Sequence, residues 1–268
     1  MTVISPIEPA ISVRGHGGDP WRGFSIRPCD DDRPAIRLEQ IDRCTFRLAS
    51  TVRYHGPTGL EGLDPESDRR IRTVDATTLR STDLASIPGP LRWWINSYGV
   101  HTPAALIHDR FIGEPFGDDP GRPEGVSEQA IDRYFRFMLR ELGVPFFRRW
   151  LMWAAVAFRT RMHAGPLRRI AMVLWIAIAI VGVGLLATGA LVGDRGLVLA
   201  AAALPIPAAA LWGRQAAAAL IIAFVGVPSL LAPTAMAIPF LAIYALVEGI
   251  GRWCSTLLRR AERAHVAR

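Results

Sequence analysis

The chain has 268 residues, of which 24 are acidic and 31 basic, and every basic one is an arginine, giving a net charge of +7 with histidine neutral. Half of it is hydrophobic, but that average mixes two unlike parts: charges and aromatics are interleaved up to Arg169, and Ala, Leu, Ile, Val and Gly follow almost without interruption. Three cysteines, Cys29, Cys44 and Cys254, exclude a disulfide framework and zinc-ligand spacing and suit a reducing compartment, and MTVISPIEPA lacks the basic start and apolar core of a secretion signal.

Residues 1–36, rich in Pro, Gly and Asp, are expected to form a mostly disordered arm. A soluble α+β domain is expected over 37–165. Cys44–Ala49 and Thr51–Tyr54 have strand composition, Gly56-Pro57-Thr58-Gly59 marks a turn, and a second strand is expected from Arg70 to Leu79. Pro88–Asn96 reads as a short helix capped by Ser86. Thr102-Pro103 starts the next helix, and Gly113–Gly125 is a loop. Ser127 then caps an amphipathic helix with Ile131, Tyr134, Phe135, Met138 and Leu139 spaced three and four apart, ended by Gly143. Pro145 opens another helix, to about Met162.

Residues 166–268 are expected to form an all-α transmembrane bundle with a basic tail. Ile170–Val192 carries no charge and is long enough for a bilayer core of about 30 Å. Gly196–Trp212 is a shorter second segment, and Ala216–Gly251 divides at Pro228 and Pro233, near Ala232, into two more. About four spans result, with two or three spans and a re-entrant piece as the competing count. Arg159, Arg161, Arg168, Arg169, Arg214 and Arg252 then share one side, which places both termini and the soluble domain at the cytoplasmic face of a bacterial inner membrane. Arginines crowd beside the apolar segments, so membrane lipid is the expected partner and nucleic acid is not. Arg148, Arg149, Arg159, Arg161, Arg168, Arg169, Trp150 and Trp153 are the expected membrane-interface residues. Gly189 and Gly193 offer a small-residue face for oligomerisation.

One group of residues suggests chemistry. His108 shares a helix face with Ala104, Ile107 and Phe111 and so points inward, Asp109 lies at the edge of that face, and Asp132 borders the apolar stripe of the following amphipathic helix. With Asp83 upstream, one histidine and three carboxylates come together. A carboxylate partner would fix the tautomer of the imidazole and raise its basicity, as a general base requires. Two readings stand open: a hydrolytic site with His108, Asp132 and Asp83 as catalytic residues, and a structural histidine among helix-capping carboxylates. A triad through Ser86 lacks the Gly-x-Ser-x-Gly elbow.

The stretches Ser81–Pro88, His101–Asp109, Ser127–Gly143 and Val144–Met152 resemble a bacterial and phage family of unknown function, the one numbered 1353, over roughly residues 40–160. That family implies no activity. Ala104–Asp109 followed by Asp132–Phe135 is also similar to the two-helix core of phospholipase A2. This second resemblance implies a hydrolase with His108 as base, Asp132 as its orienter and Asp109 as a calcium ligand. The chain departs from it by lacking a glycine-rich calcium loop before the histidine helix and by carrying Phe111 where a tyrosine is usual. The expected function is a membrane-anchored, phospholipase-like hydrolase. The alternative is a non-catalytic membrane assembly or interaction protein of phage or prophage derivation.

Overall fold

The computed structural model describes residues 10–14, 23–27, 29–30, 33–42, 45–60, 62–84, 91, 94–112, 119 and 121–266. They divide into two compact units, Met1–Val225 and Gly226–Arg268. The first is mixed α+β, with a small N-terminal sheet region as expected.

Two antiparallel sheets open the chain. In one, β4 (Arg33–Asp42) pairs with β1 (Ala10–Arg14), with β3 (Cys29–Asp30) and with β5 (Thr45–Leu48). In the other, β6 (Thr51–Tyr54) lies between β2 (Phe24–Arg27) and the two-residue β7 (Thr73–Val74). Side chains alternate in and out along β6, where Val52 and Tyr54 are buried and Arg53 is exposed. Residues 1–36 are therefore not simply a disordered arm. Phe24 to Arg27 pair residue for residue with Tyr54 to Thr51, and Ile26 is buried. That alternation is only four residues long, which hides it among glycines, prolines and aspartates.

The strand expected over Arg70–Leu79 is also corrected. Most of the segment is used otherwise, because α1 (Pro65–Ile71) runs into it. Asp64 caps α1, its Oδ1 accepting the N–H groups of Glu66 and Ser67 at 3.0 Å each, and Pro65 occupies the first turn, where a missing N–H costs nothing. Beyond β7, Asp75 Oδ1 accepts from the N–H groups of Thr77 and Thr78 in an Asx turn. Local capping outweighs the β-branched composition.

The helices follow their sequence signals more closely. These are α2 (Thr102–Ile112), α3 (Glu128–Glu141) and α4 (Phe146–His163). Ser127 Oγ accepts the Ala130 N–H at 3.2 Å, and Gly143, at φ +69°, closes α3 in the left-handed conformation that favours glycine. The apolar stripe of α3 is buried, and Tyr134 packs its ring 5.7 Å from that of Tyr54, which joins α3 to the second sheet. The helix expected over Pro88–Asn96 and its cap Ser86 lie largely outside the described residues, as does most of the Gly113–Gly125 loop.

From Pro166 the chain is helical: α5 (Pro166–Val192), α6 (Arg195–Ala203), α7 (Pro205–Ala208), a 3-10 stretch (Ala209–Gln215), α8 (Ala216–Ile221), a π-turn (Ile222–Gly226) and α9 (Val227–Val266). Two stretches are long and apolar enough to cross a membrane, Pro166–Val192 and Arg195–Thr256. Two candidate stretches do not by themselves give about four spans; the second, of 62 residues, is interrupted by the non-helical Gly213. Pro205 and Pro207 break the expected second span into short pieces, whereas α9 runs on through Ala232, Pro233 and Pro239. Gly189 faces α6 within the chain, where a Cβ would lie 3.0 Å from the Val198 backbone nitrogen, and Gly193 is the left-handed cap of α5.

Candidate functional site

The site is built where α2 packs on α3. Successive residues of a helix point about 100° apart, so His108 and Asp109 face different neighbours. His108 turns toward α3, where its Nε2 lies 3.1 Å from Asp132 Oδ1 and its ring packs 4.8 Å from that of Phe135. His108 is 5% exposed and Asp132 is fully buried. A carboxylate oxygen accepts, so Nε2–H donates, an arrangement that in the neutral imidazole leaves the lone pair on Nδ1. Asp132 Oδ2 has no hydrogen-bond partner among the described residues.

Asp109 faces Thr82 instead. Residues around Thr82 are tied to the first sheet: Phe46 and Thr82 exchange both backbone hydrogen bonds, at 2.8 and 2.9 Å. Thr82 Oγ1 accepts the Leu84 N–H at 2.8 Å and donates to Asp109 Oδ2 at 2.6 Å. Leu84 is buried at φ +68°, a left-handed conformation costly for a branched side chain. Burial pushes the Asp109 carboxyl from its ordinary 3.8 up to about 6, helped by the charge of exposed Asp83 and opposed by the Thr82 hydrogen bond and by His108. The four residues singled out from sequence are thus neighbours, with His108–Asp132 and Asp109–Thr82 as distinct pairs. Thr82 and Leu84 were missed, since nothing in the local sequence shows that a strand some thirty-five residues upstream pins them.

These pKa shifts predict a pH dependence. Asp109, raised in the folded state, contributes stability below pH 3.8 that is lost as pH rises through about 6. Buried His101 is pushed the other way, from 6.5 to about 4, mainly by burial, and contributes stability above pH 6.5 that is lost as pH falls through about 4. The two oppose each other over nearly the same range. Asp109→Asn should therefore give a steeper rise of unfolding free energy between pH 4 and 6.5 than the native chain shows, as followed by urea denaturation.

Among the described residues, carboxylates do not gather into a calcium ligand set at this site. The ion takes about six to eight oxygen ligands, and among the described residues no group of three His, Cys, Asp or Glu side chains could hold a metal. Asp109, the expected ligand, is committed to Thr82, whose Oγ1 donates to its Oδ2 at 2.6 Å.

A second polar cluster escaped the sequence reading. Arg110, in the last turn of α2, donates from Nε and Nη2 to the two oxygens of Asp119 at 2.7 and 2.9 Å, both residues being buried. Its Nη1 donates to the carbonyls of Arg70 and Thr73, which ties α2 to the end of α1 and to β7.

Of the expected membrane-interface residues, Arg148, Arg159, Arg168 and Arg169 are exposed, and Arg149 and Trp150 are half-buried. The structure buries Trp153 and Arg161 rather than presenting them at a surface. Arg136 of α3 stacks 4.3 Å from the centre of the Trp150 ring and 4.7 Å from that of Trp153, so these indoles fasten α4 to α3.

No curated protein and no solved structure matches the chain, so the likeness to phospholipase A2 rests on the residues alone. Residues 61–156, the segment from just before α1 into α4 that carries every member of the site, match the family described as Protein of unknown function (DUF1353).

Proposed function

We propose that this chain is a membrane-anchored hydrolase in which His108 activates water for attack on an ester of a phospholipid. The observation that carries the reading is the buried 3.1 Å hydrogen bond between His108 Nε2 and Asp132 Oδ1. It leaves Nδ1 as the basic atom and sets a carboxylate where it stabilises the imidazolium formed when that atom takes a proton. Water loses its proton to Nδ1 as its oxygen bonds to the ester carbonyl carbon. The C–O bond to the alcohol then breaks, and the imidazolium returns the proton to the departing oxygen.

Support for the anchor comes from exposure. An apolar helix in the core of a soluble protein is mostly buried, whereas only 11% of the most apolar window of α5 is, and Leu167, Ile170, Val173, Ile180 and Leu191 lie open. In α9, Phe240, Leu241, Ile243, Leu246 and Val247 are likewise exposed. Hydrocarbon is the solvent that suits such faces. Arg159, Arg161, Arg168 and Arg169 flank the start of α5 and Arg195 alone follows its end, so the positive-inside rule assigns the His108 domain to the cytoplasmic face.

The test is fatty-acid release from phospholipid in mixed micelles by the purified full-length chain. Activity is expected to persist in EDTA, because Asp109, the expected calcium ligand, is committed to Thr82, and His108→Ala is expected to abolish it. Activity unchanged by His108→Ala eliminates the proposed base.

A second reading is favoured by the burial itself. With His108 5% exposed and Asp132 fully buried, the pair also suits a non-catalytic pin between α2 and α3 in an assembly or interaction protein. In that case His108→Ala lowers stability and no lipid is cleaved by any form.

A further inference from the structure

We propose that the base of α5 holds the phosphate of an anionic phospholipid headgroup, gripped by Arg161 and Trp212. The inference rests on the membrane reading of α5 above and names a partner that the hydrolytic site does not supply.

Arg161 lies in the last turn of α4 and is 8% exposed, yet among the described residues no carboxylate pairs with it. Its Nη2 donates to the Leu211 carbonyl at 2.9 Å, its Nε has no acceptor, and its guanidinium sits 5.8 Å from the centre of the Trp212 ring. Trp212 is fully buried and its Nε1–H has no acceptor either. A buried cation without a counter-charge beside an unused N–H donor is unfavourable unless an anion completes the set. Burial and the charge of Arg168 both disfavour the charged form of Arg161, so the local need is for negative charge.

Arg168, whose charge acts on Arg161, also lines a basic cleft. Thr160, 3% exposed, lines a cleft of about 300 Å³ together with Arg122, Gln129 and Arg168. The acidic residue on that wall, Glu128, is already paired with Arg122 at 3.0 Å. Guanidinium and indole N–H groups are the donors that suit phosphate oxygens at a membrane surface. Arg161 precedes the first apolar helix by a few residues, which is headgroup depth rather than hydrocarbon depth.

The experiment uses the full-length chain in a neutral detergent and reads the thermal midpoint during titration with short-chain phosphatidylglycerol, short-chain phosphatidylcholine or inorganic phosphate. Phosphatidylglycerol is expected to raise the midpoint saturably, with no comparable effect of the other two. Trp212→Phe keeps the ring and deletes the donor, and Arg161→Gln deletes the charge; each is expected to weaken phosphatidylglycerol binding about tenfold. Arg195→Gln, at the far end of α5, should leave binding unchanged. Should Arg161→Gln fail to fold, Trp212→Phe decides the matter alone. Equal shifts with phosphatidylcholine, a shift with inorganic phosphate alone, or native affinity in these variants overturns the proposal. Failure of the membrane reading is distinguishable, because the chain would then need no detergent at all.

Discussion

Asp119→Ala is expected to destabilise the soluble domain by about 3–5 kcal/mol, the cost of leaving one member of a buried ion pair without its partner. Arg110 and Asp119 are joined by two parallel hydrogen bonds, at 2.7 and 2.9 Å, with both side chains 3% exposed. Asp119 Oδ1 also accepts the Gly121 N–H at 3.3 Å and lies 3.7 Å from Arg70 Nη2. Removing the carboxylate strands a guanidinium among the carbonyls of Arg70 and Thr73, which neutralise it poorly. Glu66→Ala is the control: it breaks the Arg69–Glu66 pair, whose side chains are 65% and 63% exposed, and solvent already screens that pair. Urea denaturation monitored by tryptophan fluorescence reads both. Adding Arg110→Met to Asp119→Ala should recover part of the loss, since an apolar side chain needs no counter-charge. An Asp119→Ala midpoint equal to that of Glu66→Ala would contradict the buried pair.

Asp132→Asn is expected to lower kcat by roughly 10²- to 10⁴-fold while the chain stays folded. An amide at this position either presents oxygen, which holds the tautomer but stabilises the imidazolium weakly, or presents nitrogen. In the second case Nε2 must accept, the proton moves to Nδ1, and the atom assigned as base is blocked. His108→Ala should lose at least as much. The double variant should lose no more than the worse single one, because residues acting as a unit are not additive. A purely structural pair gives the opposite pattern: both variants shift the urea midpoint, and no activity exists to lose.

What could be read from the residues depended on how local the cause was. The stripe of α3, its cap Ser127 and its stop Gly143 are neighbours in sequence and were legible. The same periodicity turned His108 inward and put Asp132 at the seam, which the geometry bears out at 3.1 Å. Thr82 was not legible as the partner of Asp109, because its position depends on backbone pairing with Phe46. Arg110 and Asp119 looked like ordinary surface charges separated by a Gly/Pro loop. The span boundaries were not legible because proline has two outcomes in apolar helices. Pro205 and Pro207 fall among short helical pieces, whereas Pro233 and Pro239 ride within α9, as neighbouring groups in such helices can accommodate a missing hydrogen bond.

Hydrocarbon around the apolar faces of α5 and α9 is the premise of both the anchor and the lipid substrate. The most direct measurement is fractionation of cells expressing the full-length chain, with membranes washed in alkaline carbonate and then extracted with a neutral detergent. The chain is predicted to remain in the washed pellet and to become monodisperse only once detergent is present. Recovery of the intact chain as a monodisperse species in detergent-free buffer would contradict the anchor and, with it, the choice of phospholipid as substrate.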